Sequence, residues 1–264
     1  MTPERRRIAG AAQPGGAPVT QAATMPSNNG YKRVVVKISG ESFCRPGGSG
    51  IDPSAMAALV AELLPLRDLG VQAGLVVGGG NFIRGRKLAD ALNVRRITAD
   101  YMGMAATVIN ALALRDALAA SGRDVRVLSA VQMSGPCEPF HPDSAVRHLE
   151  KGRMIILAGG TGSPFLTTDT CAALRAREIA AEALLKGTKV DGVYDADPVT
   201  CPGAKKHDRL SYEQVLAERL GVMDLAAVSI CMEGGIPIIV FELSRPGRLA
   251  AAVRGEKVGT MVCG

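Results

Sequence analysis

Short runs of β-branched residues that stop abruptly at glycine set the strongest limit on how this chain folds. Residues 34–38 read Val-Val-Val-Lys-Ile, the run 71–77 closes on Gly78-Gly79-Gly80, and 154–158 closes on Gly159-Gly160. Short, continuous apolar runs of this kind suit strands buried on both faces, as in a parallel sheet. Helical patterns alternate with them. Asp52-Pro53 reads as an N-cap and first helical position, apolar residues follow at helical spacing through Leu66, and Gly70 stands where a C-terminal cap belongs. Residues 100–120 read as a long helix closed by Ser121-Gly122, with Asp100 at its start. Residues 125–129 read as a strand, 144–150 as a short helix, 170–185 as a helix and 237–241 as a strand. The rhythm predicts an α/β fold: a mostly parallel central sheet with helices on both faces.

Residues 1–30 break this rhythm. They are rich in Ala, Gly, Pro, Gln, Thr and Asn with Glu4 as their one acid, and read as a disordered tail before a body spanning 31–264. An organellar transit peptide is the rival reading. The segment lacks the apolar stretch of a secretory signal, and no apolar run is read as a membrane span, so a cytoplasmic protein without a membrane partner is expected. The six cysteines form no Cys-x-x-Cys and the three histidines no His-Glu-x-x-His, so no metal site is assigned.

The chain carries 31 Lys and Arg against 25 Asp and Glu, a net charge of +6. There is no long basic block, and with no Trp, four Tyr and five Phe there are few stacking residues. Nucleic acid is therefore not the expected main partner, and a phosphorylated small molecule suits the charge better.

In open parallel sheets ligands bind beyond the carboxyl ends of the strands. Four such ends are glycine-rich or polar: 37–41, 78–81, 159–169 and 186–197. Successive glycines free backbone N–H groups to face an anion. The P-loop pattern G-x-x-x-x-G-K-[ST] is absent, and G-x-G-x-x-G fails at Asn81. Lys37, inside a run of Val and Ile, is costly unless its ammonium meets an anion; the plain alternative is an edge-strand lysine pointing to water. Arg84 can reach a phosphate laid over the glycines or be a solvated loop residue. Asp169 is either a site carboxylate or a helix cap.

Taken together, Val36-Lys37-Ile38-Ser39-Gly40-Glu41 and Gly78-Gly79-Gly80-Asn81-Phe82-Ile83-Arg84-Gly85 resemble the amino-acid-kinase superfamily, with its carbamate-kinase-like fold. Asp100-Tyr101-Met102-Gly103-Met104, the segment 160–169, Lys189-Val190-Asp191-Gly192-Val193-Tyr194 with Asp197-Pro198, and Val222-Met223-Asp224-Leu225 narrow the resemblance to the bacterial UMP kinases. The carboxylate-phosphorylating acetylglutamate and glutamate kinases are expected to carry G-G-M-x-x-K; the nearest segment here, 222–225, lacks its glycines and lysine. Ser163 stands where the family usually has Asn, and the glycines of 43–51 fit the family's GTP-sensing stretch loosely.

The resemblance implies transfer of the γ-phosphoryl group of ATP, bound as its Mg²⁺ complex, to UMP. It implies that Lys37, Arg84 and Asp169 are catalytic. Lys37, Ile38, Ser39, Gly40, Gly80, Arg84, Thr188, Tyr194 and Asp197 would bind ATP. Gly79, Asp100, Thr161, Gly162, Ser163, Pro164, Phe165, Leu166, Thr167 and Thr168 would bind UMP, so that the N-terminal part serves UMP and the C-terminal part ATP. It further implies a homohexamer, with GTP as activator and UTP as inhibitor. The competing readings are a divergent enzyme of the same fold with another phosphate acceptor and a non-catalytic nucleotide sensor.

Overall fold

The computed structural model describes residues 30–83, 93–198, 200–201 and 203–264. Arg84 and all of the expected tail except Gly30 lie outside the described residues. Nine strands form one sheet among those described: β1 (Arg33–Ile38), β2 (Gln72–Val77), β3 (Val125–Ser129), β4 (Glu138–Pro139), β5 (Met154–Ala158), β6 (Ala183–Thr188), β9 (Arg209–Ser211), β10 (Ile238–Glu242) and β11 (Thr260–Cys263). Their order is β4-β3-β5-β2-β1-β6-β10-β11-β9. Every neighbouring pair is parallel except β10 with β11. Two further strands, β7 (Val193–Tyr194) and β8 (Lys206–His207), pair antiparallel apart from it.

The central strand β1 shows why the sheet is apolar on both sides. Side chains alternate along a strand. Val34, Val36 and Ile38 enter one core with α1 (Pro53–Leu63), α2 (Pro65–Asp68), α3 (Arg96–Ala120) and α8 (Arg248–Val253). Val35 enters the other with α4 (Pro142–Glu150), α5 (Thr168–Glu178), α6 (Tyr212–Glu218) and α7 (Leu225–Gly234). The mostly parallel sheet covered on both faces is the fold that the strand–helix rhythm predicts.

The element boundaries correct the sequence reading in three places. The helix expected over 170–185 ends at Glu178. Ala180 adopts a left-handed φ of 52° and the chain re-enters the sheet as β6. The run Ala183-Leu184-Leu185 suits either element, and no glycine or proline marks the break. The long helix starts at Arg96, so Asp100 lies one turn inside it and is not its cap. Pro65 divides the helix expected through Leu66 into α1 and α2. The 25-residue α3 is long and apolar enough to match a membrane span by length and composition. Its Ala99, Met104, Val108, Ala111, Leu114 and Leu118 are nonetheless buried within the fold.

At the carboxyl edge of the sheet, the loops after β1 and β2 interlock. A Cβ at Gly40 would lie 2.3 Å from the Gly80 nitrogen, and one at Gly79 would lie 2.7 Å from the Gly103 oxygen. Only glycine permits this approach. Two buried asparagines hold the arrangement. Asn110 on α3 donates to the Gly78 carbonyl at 2.8 Å and to Asn81 Oδ1 at 2.7 Å, while Asn81 donates to the Gly50 carbonyl at 2.7 Å. Asn110→Ala removes donors from two buried acceptors, each worth about 1–3 kcal/mol when left unpaired. For a body of this size the melting temperature is expected to fall by at least about 4 °C in a thermal scan. An unchanged melting temperature would show that the network is dispensable.

Candidate active site

Lys37 is the penultimate residue of β1, and β1 lies between β2 and β6. The edge-strand reading of this lysine is thereby removed. By alternation its side chain leaves the sheet on the side of Val35, the side on which α5 packs. On β6 the register partner of Lys37 is Lys186. Two ammonium groups side by side on one face repel. Asp169, in the first turn of α5, lies between them.

Lys37 Nζ is 2.9 Å from Asp169 Oδ1 as an ion pair, and Lys186 Nζ donates to Oδ2 at 2.8 Å. The three side chains are only 12%, 12% and 15% exposed. Lys186 also donates to the Val222 carbonyl. Burial works to raise the pKa of Asp169, but the two ammonium groups outweigh it and hold the carboxyl below its ordinary range. Burial lowers the pKa of Lys186, against the pull of Asp169. The cluster carries two cations and one anion, so it retains a net positive charge suited to an anionic ligand.

The N-terminus of α5 is fixed from two sides. Thr167 caps it, its Oγ1 accepting from the Asp169 nitrogen at 3.0 Å and the Thr170 nitrogen at 3.3 Å. Both threonines then donate to Asp224, with Thr170 Oγ1 at 3.0 and 2.9 Å from its two oxygens. Asp224 in turn caps α7 by accepting from the Ala227 nitrogen at 2.9 Å. Two helix caps thus share one carboxylate, and the placement of Asp169 depends on the packing of α5 against α7.

Two cavities open at this edge of the sheet. The larger, about 740 Å³, is lined by Lys37, Ser39, Lys186 and Thr188 together with residues of α1 and the turn after β10. Ile38 and Gly40 are buried and do not line it. The Thr188 hydroxyl donates to the Val190 and Phe241 carbonyls, at 2.6 and 3.1 Å. Tyr194 and Asp197 line neither of the two cavities. The Tyr194 hydroxyl donates to Asp191 at 2.5 Å, and the Asp197 carbonyl accepts from the Cys201 nitrogen at 2.8 Å in a turn.

The smaller cavity, about 280 Å³, is lined by Gly79, Gly80, Arg96, Asp100, Thr161, Leu166, Thr167 and Thr168, among others. Asp100 accepts from Arg96 Nε at 2.9 Å and from the Phe165 nitrogen at 2.9 Å, tying α3 to the loop that precedes α5. Phe165 sits at a left-handed φ of 71° with its ring largely exposed, a conformation costly for a bulky side chain. Gly162, Ser163 and Pro164 belong to the same loop but do not line the cavity. Thr161 Oγ1 accepts from the Ser163 nitrogen at 3.1 Å, so it is the Ser163 backbone that is held. Among the described residues, no group of three or more His, Cys, Asp or Glu is arranged to hold a metal ion.

The amino acid kinase family model matches residues 32–242. The chain belongs to the amino acid kinase family. A uridylate kinase of Legionella pneumophila (strain Lens) is 49% identical over 232 residues, which cover 88% of this chain and 94% of that protein. The structure of a UMP kinase from Bacillus anthracis matches with a TM-score of 0.86 at 35% identity, covering 89% of this chain and 96% of that one. A UMP kinase from Ureaplasma parvum matches with a TM-score of 0.83 at 34% identity, over 88% and 99%.

In this amino acid kinase the sequence reading missed Lys186, Arg96 and Asp224 as members of the polar framework. Lys186 had a signal: in Leu184-Leu185-Lys186-Gly187-Thr188 a lysine closes an apolar run, as Lys37 does near the end of β1. Reading 170–185 as one helix left 186–197 as a strand end without the strand that sets Lys186 beside Lys37. Arg96 had a local signal, standing four residues before Asp100 on one helix, whereas Asp224 had none for its bonds to Thr167 and Thr170, which lie far away in sequence.

The charge cluster makes a prediction for pH. Asp169→Asn leaves two largely buried lysines without their carboxylate, at a cost of about 3–5 kcal/mol at pH 7. A lysine whose folded pKa is lowered binds fewer protons folded than unfolded, so stability rises with pH through that range. The melting temperature of Asp169→Asn is expected to lie well below wild type at pH 7, with the gap narrowing toward pH 10 in parallel thermal scans. A gap independent of pH would show that the lysines do not respond to Asp169.

Proposed function

We propose that this chain is a UMP kinase, transferring the γ-phosphoryl group of ATP to UMP to give UDP and ADP. The observation that carries the reading is the presence of two cavities at one sheet edge, one lined by Lys37 and Lys186 and the other by Asp100, Thr161, Leu166, Thr167 and Thr168. The kinship with uridylate kinases supports UMP as acceptor. The phosphates of ATP are assigned to Lys37, Ser39, Gly40, Gly80 and Arg84, and its nucleoside to Thr188, Tyr194 and Asp197. UMP occupies the smaller cavity, against Gly79, Asp100, Thr161, Leu166, Thr167 and Thr168.

Phosphoryl transfer passes through a loose transition state, so the protein's part is alignment and charge neutralisation. Lys37 neutralises charge on the migrating group while its proton stays in place. Asp169 holds Lys37 and takes no proton from it. Mg²⁺ supplies further neutralisation of the nucleotide phosphates and enters with ATP, a mode that suits a hard cation retaining several waters. A cytoplasmic setting, a homohexamer, GTP activation and UTP inhibition complete the reading, supported by the family resemblance alone.

A coupled ADP-release assay across UMP, CMP, dUMP, acetylglutamate and glutamate tests it. UMP is expected to be turned over fastest; faster turnover of either amino acid would overturn the reading. The role of Asp100 is tested separately. A carboxylate accepting from a ribose hydroxyl is worth about 1.5–3 kcal/mol, so Asp100→Asn is expected to raise the KM for UMP about ten- to a hundredfold. The KM for ATP should change less than about threefold, because the smaller cavity alone is altered. Since Asp100 is not a helix cap, an unchanged UMP KM would leave it only the task of holding the loop.

A further inference from the structure

The kinase reading uses Lys37 and Asp169 but gives no task to Lys186. A lysine this deeply placed carries a desolvation penalty that packing does not explain, since a Val or Leu would fill a strand position between two cores at no such cost. Its geometry is specific. Lys186 stands at the same register as Lys37 on the adjacent parallel strand, takes the second oxygen of the same carboxylate at 2.8 Å, and lines the same cavity. It also donates to the Val222 carbonyl, two residues before the carboxylate that caps α7 and receives the α5 threonines.

With Lys186 in place, Asp169 is held from both sides and offers only one oxygen to Lys37. Without it, the carboxylate is free to rotate about its side-chain bonds and accept Lys37 on either oxygen, so the ammonium of Lys37 loses its fixed direction. We infer that Lys186 is a positioning residue for phosphoryl transfer, acting through Asp169 to aim Lys37 at the transferring group. This rests on the kinase reading above. The charged groups around the cluster are Lys37 from β1, Lys186 from β6, Asp169 from α5 and Asp224 from α7. Asp224 acts on Lys186, while Lys37 and Lys186 are the cations that set the ionisation of Asp169.

The test is steady-state kinetics of full-length Lys186→Met with UMP and MgATP, alongside Lys186→Arg, Asp169→Asn and the Asp169→Asn/Lys186→Met double variant. Circular dichroism and a melting curve establish that each is folded. Loss of aim without loss of binding is expected to lower kcat by about ten- to a hundredfold, with both KM values within about threefold of wild type. Lys186→Arg should recover at least a tenth of wild-type kcat. Losing one of two cations that keep Asp169 ionised should move the acid limb of the kcat–pH profile upward by about half a pH unit or more. A merely structural lysine would move neither the limb nor kcat selectively.

Because Lys186 acts through Asp169, the double variant should be no more than about threefold slower than Asp169→Asn alone. A kcat for Lys186→Met within threefold of wild type, or losses that multiply in the double variant, would overturn the inference. If Lys186→Met does not fold, Lys186→Gln carries the same readouts. Wild-type turnover of UMP separates the two readings. Its absence would overturn the kinase assignment, whereas normal wild-type turnover with an unaffected Lys186→Met would overturn only the role of Lys186.

Discussion

A carboxylate held between two ammonium groups on neighbouring strands is the interaction on which the site depends. Lys37 and Lys186 occupy matching positions in β1 and β6 and leave the sheet on the same side, where water is scarce. Alone they would repel, and each would be cheaper uncharged. Asp169 makes both charges tolerable and leaves an excess of one positive charge. That excess is of little use to a core but suits an anion arriving at the strand ends. Stability and function therefore meet in one carboxylate.

The position of that carboxylate is not local. It lies in the first turn of α5, where the helix dipole favours an acid, and the turn is capped by Thr167. Thr167 and Thr170 are tied to Asp224, the cap of α7. Moving α7 would move α5, and moving α5 would separate Asp169 from its lysines. On the other side of the strand ends, glycine loops from β1 and β2 touch through their backbones and are pinned to α3 by Asn81 and Asn110. One edge thus gathers two kinds of material: charges from Lys37 on β1, Lys186 on β6 and Asp169 on α5, and closely packed glycine backbone from the loops after β1 and β2.

The acceptor side is organised by a second carboxylate. Asp100 holds both Arg96 and the Phe165 nitrogen, and so joins the long helix to a loop whose Phe165 is kept in a left-handed conformation. A strained residue at the rim of a cavity persists only when its surroundings fix it. Here the fixing group is the one that also lines the cavity, which couples the loop's shape to whatever Asp100 binds.

Much of the fold was legible in the sequence because its strands are short, β-branched and bounded by glycine, and such runs have few alternatives. The beginning of the strand at 183–188 was not, because alanine and leucine suit helix and strand alike and the break at Ala180 is a backbone turn with no glycine to announce it. Lys37 and Asp169 were legible as polar departures at strand ends, whereas Asp100 stood out at the expected start of a helix and through the family resemblance. By itself the sequence determined the alternation of elements, the apolar content of each strand and the chemical types gathered at their ends, since these follow from local periodicity and side-chain chemistry. Only the tertiary structure decided that β1 is central, that Lys186 stands beside Lys37, and that one aspartate divides itself between them. Strand order and register are set by packing between residues far apart in sequence, and no local pattern encodes which strand becomes the neighbour.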